Sequence, residues 1–582
     1  MTKAPIRPVR TTQVSRPLTA RSAGVLLLIG FTIQVMLRVT LIHGRNGPLV
    51  FADETGYLAN ARVLAGGVPG QLSHAMFYRA GYSVLLVPAY LLSDNPVRSY
   101  HLVLGTNALI SSCTFPLLFL LLRRVLSVGR SQALAAAFVA AAAPALLLVS
   151  LLAMAETLLT PLYLLVLYAL ARLVADGKSR WGVVLGAAGG WLPTTHGRGG
   201  LALALLAGAL AAAVWRRREL LRPVLTALLV AGIFYLLGGL LNSYVRNLNF
   251  PGSSGEGSQA LNHLGSAGVA KNVAALALGQ YWYFTVTSAG LFGLGVIGLV
   301  AAIRKQGRCP TTPREQAASL VCWLELAALL GFTVLTAVFL YPPNRPDIVV
   351  YGRYTEFVVP FVTAAGLARL WHPLPWRRLV LEMAAVASLT TLAVLLLPSY
   401  ANGLVDRKLS NIYNTLALPG LSASDHYIRL GRATLVALAV FAVAGILLRR
   451  RWLLGALCLV GLSVWSAFFT IDSMFANGSR IYGPKQTDFV SLPGIQRGEQ
   501  VGYDLDSYTI EGLWSFQWQE PKAHFILYRT SSGRRPTTRL VITSRRWTSA
   551  IRYGAQLVWT DPLRDQAVWE LPAWLPISIS GE

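Results

Sequence analysis

The chain has 582 residues, of which 54% are hydrophobic and 13% charged, so it is neither an ordinary soluble enzyme nor a disordered chain. Apolar runs of about 20 residues, long enough to cross about 30 Å of hydrocarbon, recur along most of its length. A net charge of +26 would suggest nucleic-acid binding in a soluble protein. Here the basic residues cluster between alternate apolar runs, which is the positive-inside pattern of a polytopic α-helical membrane protein. The sequence therefore gives no support for a nucleic-acid partner.

The apolar runs predict about 13 transmembrane helices, with the N-terminus in the cytoplasm and the C-terminus outside. The predicted spans are 23–43, 98–122, 132–150, 153–173, two short spans between basic patches at 178–180 and 215–218, and then 223–241, 281–303, 317–340, 351–371, 378–397, 431–449 and 453–471. The two short spans are separated by a polar, glycine-rich interruption. Broken backbone at membrane depth is tolerated where it lines a cavity or is buried in protein.

Three parts of the chain follow from this pattern. Residues 1–22 form a basic cytoplasmic N-terminus, and 23–471 form the transmembrane domain with an outer loop at 44–97. An apolar stretch within that loop, Gly81 to Leu92, is too short for a span and is interpreted as an interfacial helix. Residues 472–582 change character and predict a small extracytoplasmic α/β domain with short strands at 501–504, 525–528, 540–543 and 556–559.

The outer loop carries two adjacent carboxylates, Asp53 and Glu54, at the head of a short predicted helix that ends at Gly66-Gly67. Tyr57, Leu58, Ala61 and Leu64 have the spacing of an amphipathic helix lying on an apolar surface. A structural interpretation makes Asp53 the N-cap and Glu54 a first-turn acid favoured by the helix dipole. The structural interpretation is favoured for the pair alone, and the ionisable residues that accompany it favour a catalytic role.

Further ionisable residues are predicted near the outer face, where intramembrane charges are costly and usually functional. Glu156 begins the fourth span, and His196 and Arg198 lie in the interruption between the two short spans. Arg353 and Glu356 open the tenth span, with a spacing that would let them pair one helical turn apart. Each has a structural alternative, such as a carboxylate that reaches to water or a side chain that caps a broken helix.

Together these side chains place acids and bases on one face of the membrane. A carboxylate can remove the proton of an acceptor hydroxyl. Guanidinium groups can stabilise the charge that develops on a departing phosphate. The combination suits group transfer from a phosphate leaving group.

The pattern resembles the GT-C superfamily of polyprenyl-phosphate-sugar glycosyltransferases, which includes the protein O-mannosyltransferases and the lipid A aminoarabinose transferase. The matching features are the Asp53-Glu54 pair after the first span, the acid Glu156 at the start of span four, the glycine-rich interruption, and Gly352-Arg353-Tyr354 before a late span. The resemblance covers roughly residues 20–371, and the remainder matches in layout only.

The resemblance implies that Asp53 is the general base, with Glu54 orienting it and Glu156 assisting with the acceptor. It implies a substrate- or phosphate-binding role for a second group of residues: Tyr57, His196, Arg198, Arg353, Tyr354 and Glu356. Asp53-Glu54 is not the Asp-x-Asp of the metal-using members, so no metal and no cofactor are expected. The lipid-linked donor arrives already activated, which agrees with the lack of a nucleotide-binding pattern.

We therefore expect a hexosyl- or pentosyltransferase that moves a sugar from a polyprenyl-phosphate donor to a glycan, lipid or protein acceptor, with inversion. The expected location is the bacterial inner membrane, in contact with membrane lipids and in a role in cell-envelope or cell-wall biogenesis. A transporter or flippase of lipid-linked sugar is an alternative, although such proteins usually show paired broken helices in repeated halves. A glycan polymerase or ligase that uses a lipid diphosphate is the other.

Overall fold

The computed structural model describes residues 18–572, except positions 50, 74, 402 and 416 and segments 254–267, 307–311, 408–414, 419–426, 483–494 and 562–564. The predicted cytoplasmic segment 1–22 lies almost wholly outside the described residues. The first eleven helices, in chain order, are α1 (Ala20–Leu41), α2 (Phe51–Leu64), α3 (Val87–Leu92), α4 (Pro96–Ser112), α5 (Thr114–Arg124), α6 (Arg130–Ala141), α7 (Pro144–Val149), α8 (Glu156–Asp176), α9 (Ser179–Thr195), α10 (Gly199–Arg216) and α11 (Leu221–Asn249).

The remaining helices of the membrane part are α12 (Val269–Thr287), α13 (Leu291–Gln306), α14 (Pro313–Phe339), α15 (Pro346–Val349), α16 (Val359–Trp371), α17 (Trp376–Ala401), α18 (Leu430–Arg450) and α19 (Trp452–Tyr482). Within the described residues, nine helices are long and apolar enough to span a bilayer, or ten if a bent pair counts as one. Three further predicted spans correspond to helices that are shorter or broken: α6 with α7, α9, and α16. The count of 13 spans stays a prediction.

Two predicted spans differ in the structure. The expected continuous span 281–303 is divided at residues 288–290, where α12 and α13 meet at 107°. The expected span 351–371 is helical only from Val359, because residues 351–358 form turns. Arg353 and Glu356 therefore do not lie one helical turn apart on a span. The break at 288–290 is only three small residues long, so a hydropathy pattern does not detect it, whereas Arg353 and Glu356 interrupt the apolar pattern at 351–358.

The helix α2 is enclosed by protein rather than laid on a surface. Every residue from Glu54 to Val63 is buried, and the neighbours of α2 include α3, α11 and a helix of the C-terminal domain. The helix begins at Phe51, so Asp53 is its third residue and not its N-cap. Its end agrees with the prediction, since Gly66 has a positive φ of 80° and the Gly67 N–H donates to the Arg62 carbonyl at 2.8 Å.

The elements of the C-terminal domain are β1 (Gln500–Asp504), α20 (Ile510–Gln519), β2 (His524–Tyr528), β3 (Leu540–Ser544), β4 (Gln556–Asp561) and β5 (Gln566–Glu570). The strands form a five-stranded mixed sheet with the order β2-β1-β3-β5-β4. The first three strands are parallel, and β5 pairs antiparallel with β3 and β4. The sequence predicted four of these strands and missed β5.

The C-terminal domain is attached to the outer loop through α20. The side-chain amide of Gln517 accepts from the Gln71 N–H at 2.6 Å and donates to the Gln71 carbonyl at 2.8 Å. Trp514 packs in an apolar cluster with Ala59 and Leu72. The terminal domain thus packs against α2 and the outer loop, in a cluster that also contains Val245 of α11.

The helices α13 and α16 cross at glycines. A Cβ atom added to Gly295 would meet the Val362 carbonyl, and one added to Gly366 would meet the Leu291 carbonyl. Small residues at such crossings let two helix backbones approach closely within a membrane. The crossing also fixes the start of α16, which follows the turns that carry Arg353.

We expect Gly366→Ala to lower the free energy of unfolding by about 2 kcal/mol, because the added methyl group must push the two backbones apart. Gly208→Ala in α10, where a Cβ would have no neighbour within 4 Å, is the matched control and should be neutral or stabilising. Thermal unfolding of both variants in detergent measures the difference. Equal melting temperatures would show that the crossing is not tightly packed.

Candidate functional site

A cavity of about 890 Å³ opens beside the N-terminal turn of α2. We call it the acid–arginine cavity. Its walls come from four places: the start of α2, residues 76–79 of the outer loop, the turn 196–198 between α9 and α10, and the end of α14 with the turns that follow α15. The lining residues are Asp53, Tyr57, Met76, Tyr78, Arg79, His196, Gly197, Arg198, Leu335, Thr336, Phe339, Arg353 and Tyr354.

Arg353 joins the two acids of the site. Its Nη2 lies 2.6 Å from Oδ2 of Asp53, and its Nε lies 2.8 Å from Oε1 of Glu156. Burial lowers the pKa of Arg353, but the carboxylates of Glu156 and Asp53 outweigh burial and raise that pKa well above its usual value. One permanently charged guanidinium therefore connects α2, α8 and the turns before α16.

The second carboxylate oxygen of Asp53 accepts a hydrogen bond from the Tyr78 hydroxyl at 2.7 Å. Burial, followed by the charge of Asp53, raises the pKa of Tyr78 well above its usual value, so the phenol stays protonated and remains a donor. The Asp53 side chain is 19% exposed, so it faces the cavity while both of its oxygens are held. A carboxylate fixed in this way presents a defined direction to an incoming hydroxyl.

Arg198 forms the second cationic group of the cavity. Its guanidinium carbon lies 3.5 Å from the centre of the Tyr354 ring, and its Nη1 donates to the Tyr354 carbonyl at 3.0 Å. Its Nη2 lies 3.7 Å from Oε1 of Glu156. Glu156 therefore contacts two arginines, as a buried carboxylate requires if it is to remain charged.

His196 is a neutral neighbour of these cations. Burial lowers its pKa well below the usual value, and the positive charges of Arg198, Arg353 and Arg79 lower it further. Nη2 of Arg198 lies 2.8 Å from Nε2 of His196. Because arginine has only donors, Nε2 is the acceptor in that contact, and the Arg198 backbone N–H lies 3.3 Å from Nδ1 of the same ring.

Glu54 does not line the acid–arginine cavity. It is 0% exposed, and its carboxylate accepts from the Leu49 N–H, the Tyr100 hydroxyl and the Ala153 N–H, at 2.8, 2.7 and 2.8 Å. These bonds tie α2 to α4 and to the turn before α8. The sequence predicted that Glu54 orients Asp53, and the contacts show one way in which it can do so, by fixing the helix; its role in a reaction stays a prediction.

Glu356 also lies apart from the cavity walls. Oε1 of Glu356 accepts from the Tyr283 hydroxyl at 2.9 Å. Burial raises the pKa of Glu356 to about 7, although the bond from Tyr283 acts in the opposite direction. The predicted pairing of Arg353 with Glu356 is wrong, since Arg353 is bonded to Asp53 and Glu156 instead. A substrate-binding role for Glu356 has no geometric support.

Tyr57 lines the cavity with an aromatic wall. It is 2% exposed and packs edge-to-face against Tyr78 and Tyr82, with ring centres 5.4 Å apart in each pair. The sequence missed Tyr78 and Arg79, which follow one another in an outer loop without periodicity. Nη1 of Arg79 donates to the Pro193 carbonyl at 2.8 Å, and its buried Nε has no hydrogen-bond partner among the described residues. An adjacent aromatic and basic pair near the Asp-Glu motif is the signal that could have marked them.

The positive charge of the cavity comes from arginine side chains. In the part of the chain that the structure describes, no group of three or more His, Cys, Asp or Glu side chains is arranged to hold a metal ion. Arg79, Arg198 and Arg353 face Asp53 and Glu156, which leaves the cavity with an excess of one positive charge when His196 is neutral. Such a site suits a singly charged anion.

Comparison with known proteins agrees with this architecture. A sequence family described as dolichyl-phosphate-mannose-protein mannosyltransferase matches residues 99–238. The structure is similar to that of ArnT from Cupriavidus metallidurans bound to undecaprenyl phosphate, over 97% of this chain and 100% of that one, with a TM-score of 0.55 and 16% identity. This chain has the fold of the GT-C superfamily. The resemblance predicted from the sequence is confirmed.

Two further comparisons accompany this result. The GT-C fold is again found in ArnT from Cupriavidus metallidurans in the apo state, at 16% identity and a TM-score of 0.53, with 94% of this chain and 98% of that chain covered. The oligosaccharyltransferase of Archaeoglobus fulgidus in the apo form has 12% identity and a TM-score of 0.41, with 96% and 76% covered. No curated protein sequence matches the chain.

We expect Arg353→Gln to lower the free energy of unfolding by about 3 kcal/mol, because it leaves Asp53 and Glu156 close together without their shared cation. Adding Asp53→Asn should restore part of that loss, since one of the repelling charges is removed. Denaturant unfolding in detergent of the two single variants and the double variant gives the coupling energy. Arg432→Gln, at an exposed position of α18, is the control. Strictly additive effects would contradict the shared-cation arrangement.

The raised pKa of Glu356 predicts a pH dependence of stability. The folded protein holds this proton more tightly than the unfolded chain, so the stabilisation is present at low pH and is lost as pH rises through about 7. Glu356→Gln keeps a neutral side chain at every pH. The variant should therefore gain stability relative to the wild type between pH 5 and pH 8, as measured by thermal unfolding. An unchanged difference at the two pH values would contradict the assignment.

Proposed function

We propose that this protein transfers a sugar from a polyprenyl-phosphate donor to an acceptor hydroxyl at the outer face of the membrane. The GT-C fold, the mannosyltransferase family match at 99–238 and the undecaprenyl phosphate bound to ArnT support a lipid-phosphate donor. The observation that carries the proposal is the cavity in which Asp53 is held by Arg353 and Tyr78. A carboxylate that served only to stabilise the start of a helix would not need to face a cationic cavity.

The charge of the cavity matches such a donor. A sugar linked to a lipid through one phosphate is a phosphodiester with a single negative charge, and the cavity has one positive charge in excess. Guanidinium groups bind phosphate oxygens through paired hydrogen bonds. Arg353 and Arg198 are the groups that we assign to the phosphate. Leu335 and Phe339 of α14 form an apolar wall that would accommodate the first units of the lipid chain.

The reaction that we propose is a direct displacement. The acceptor oxygen attacks the anomeric carbon while its proton passes to the carboxylate of Asp53, and the bond from that carbon to the phosphate oxygen breaks on the opposite face. The configuration is inverted and the lipid phosphate leaves with an added negative charge. Arg353 and Arg198 stabilise that charge, so their interaction is stronger in the transition state than with the bound donor.

Arg353 has a second role in this scheme. Before the donor binds, its charge is shared between Asp53 and Glu156. A phosphate that engages Arg353 would weaken its hold on Asp53 and make that carboxylate a better base. Glu156 would keep the guanidinium in place throughout. The scheme assigns no metal ion, because the arginines supply the positive charge.

We infer a hexosyl or pentosyl group as the transferred sugar, and a glycan, lipid or protein as the acceptor. The distribution of basic clusters supports a cytoplasmic N-terminus and an extracytoplasmic C-terminal domain. We propose a bacterial inner membrane as the location and the building of the cell envelope as the role. The C-terminal domain packs against α2 at the face turned away from the acid–arginine cavity, so we assign it no part in the transfer step.

Transfer from a panel of labelled polyprenyl-phosphate sugars, in membranes that contain the wild type or Asp53→Asn, tests the proposal. The amide keeps the shape of the carboxylate but cannot take the proton. We expect the transfer rate to fall by about 10³-fold, with donor binding retained, since general base catalysis contributes 10²–10⁴-fold.

The matched control is Asp406→Asn, at an exposed position outside the cavity, which should transfer at the wild-type rate. A wild-type rate in Asp53→Asn would remove Asp53 as the base. Translocation of the lipid-linked sugar by the wild type without any transfer would favour the transporter alternative. Inversion is read from the anomeric configuration of the product.

A further inference from the structure

A second cavity lies on the opposite side of α2, between the outer loop and the C-terminal domain. We call it the rear cavity. Its volume is about 1090 Å³, and it shares no lining residue with the acid–arginine cavity. Residues 55, 58, 59 and 62 of α2 form one wall, α3 and the residues after it form another, and residues 517–522 with Arg497 close it. Nothing in the proposed transfer reaction uses it.

Arg62 is the central group of the rear cavity. It is 7% exposed, its Nε donates to the Val68 carbonyl at 2.9 Å, and its Nη1 donates to the Gln517 carbonyl at 2.8 Å. A guanidinium has five N–H donors, so these bonds leave three unused. Among the described residues no carboxylate lies within ion-pair distance of Arg62. A buried cation without a counter-charge is costly unless an anion reaches it.

A second unsatisfied polar group faces the same cavity. Thr55 lies two helical turns before Arg62 and therefore on the same face of α2. It is 3% exposed, and its buried hydroxyl has no hydrogen-bond partner in the part of the chain that the structure describes. A hydroxyl above a buried guanidinium is a further donor for an oxyanion.

The rim adds to the positive charge. Arg497 and Lys522 line the cavity from the C-terminal domain, and among the described lining residues Asp94 is the one acid. Three cations against one carboxylate leave an excess of two positive charges, a balance that favours a phosphate over a neutral sugar. Burial lowers the pKa of Arg62, which agrees with a cation that lacks an anionic partner.

One edge of the rear cavity is apolar and exposed. Leu91, which lines it, is 68% exposed, and the neighbouring Leu92 is 72% exposed. Both belong to α3, directly before the span that begins at Pro96. Exposed leucines at the end of a span are typical of the boundary between headgroups and acyl chains. Tyr90 and Trp518 supply aromatic surface beside them.

We propose that the rear cavity is a second binding site, which takes the phosphate group of an amphiphile at the outer membrane surface on Arg62, Thr55 and Lys522. The site lies on the helix that carries Asp53. Nine residues separate Asp53 from Arg62, which puts them roughly 180° apart around the helix and about 14 Å apart along it. The assignment does not depend on glycosyl transfer, since it follows from charge and burial alone.

Binding of dihexanoyl-phosphatidylglycerol to the purified full-length protein in detergent tests the site, with dihexanoyl-phosphatidylcholine as the zwitterionic counterpart. We expect the anionic lipid to bind at least roughly tenfold more tightly, because the cavity has an excess of positive charge. Arg62→Gln should weaken binding about tenfold and Lys522→Gln several-fold, since each removes a charge-assisted hydrogen bond. Arg546→Gln, exposed and outside the cavity, should bind as the wild type does.

The lipid and a free phosphate are separated by glycerol 3-phosphate. Tighter binding of the lipid than of glycerol 3-phosphate assigns the site to a lipid headgroup, and equal binding assigns it to a soluble phosphate. Binding must persist in Arg353→Gln, which removes the cation of the acid–arginine cavity. Equal affinity for the two lipids, or wild-type affinity in both Arg62→Gln and Lys522→Gln, would overturn the proposal.

Arg62 also donates to the Gln517 carbonyl, so Arg62→Gln removes a bond to the C-terminal domain as well as a cation of the cavity. The exposed variant Lys522→Gln guards against this, because it should reduce affinity without lowering the melting temperature, whereas Arg497 also donates to the Gly66 carbonyl. Unchanged affinity in the combined Lys522→Gln, Arg497→Gln variant, with an unchanged melting temperature, would contradict a phosphate site. Asp53→Asn should bind the lipid probe with wild-type affinity. The binding experiment therefore tests the rear cavity even if the proposed transfer reaction is wrong.

Discussion

The shared cation Arg353 is the interaction on which the candidate site depends. It holds a carboxylate from the outer loop and another from the start of α8, although these lie about one hundred residues apart in sequence. Burying two acids is unfavourable unless a cation of fixed geometry lies between them, and the planar guanidinium supplies that geometry. The turns before α16 place the Arg353 side chain between the two acids. In a continuous helix from residue 351 that side chain would point in another direction.

The position of α2 follows from that constraint and from Glu54. A fully buried carboxylate that accepts two backbone N–H groups and the Tyr100 hydroxyl fixes the rotation of the helix about its axis. With the rotation fixed, Asp53 faces one cavity and Arg62 the other. The two adjacent acids therefore have different roles. Asp53 lines the acid–arginine cavity, while Glu54 fixes the helix and so the direction of the Asp53 side chain.

The enclosed position of α2 also explains why two distinct cavities can lie beside one short helix. A helix on an open surface has one functional face, whereas α2 is packed against α3, α11 and α20 of the C-terminal domain. Trp518 and Gln517 reach across this boundary, so the terminal domain helps to define the chemistry of the outer loop. The sequence of this domain carries no recognisable motif. Its contribution is to cover part of α2 and to line the rear cavity.

The sequence by itself determined the membrane class, the existence of most helices and the strands at 501–504, 525–528, 540–543 and 556–559, and it brought forward Asp53, Glu156, Arg198 and Arg353 as candidate site residues. Those predictions rest on hydropathy, short-range periodicity and the cost of charge near a membrane, all of which are local. Only the tertiary structure decided which charged residues lie together. Glu54 and Glu356 lie outside the acid–arginine cavity, whereas Tyr78 and Arg79 line it. The break between α12 and α13 was likewise visible only in the structure. Contacts between residues far apart in the chain depend on how the helices pack and on which opposite charges come close together. The spacing of residues within one helix or strand contains no information about either.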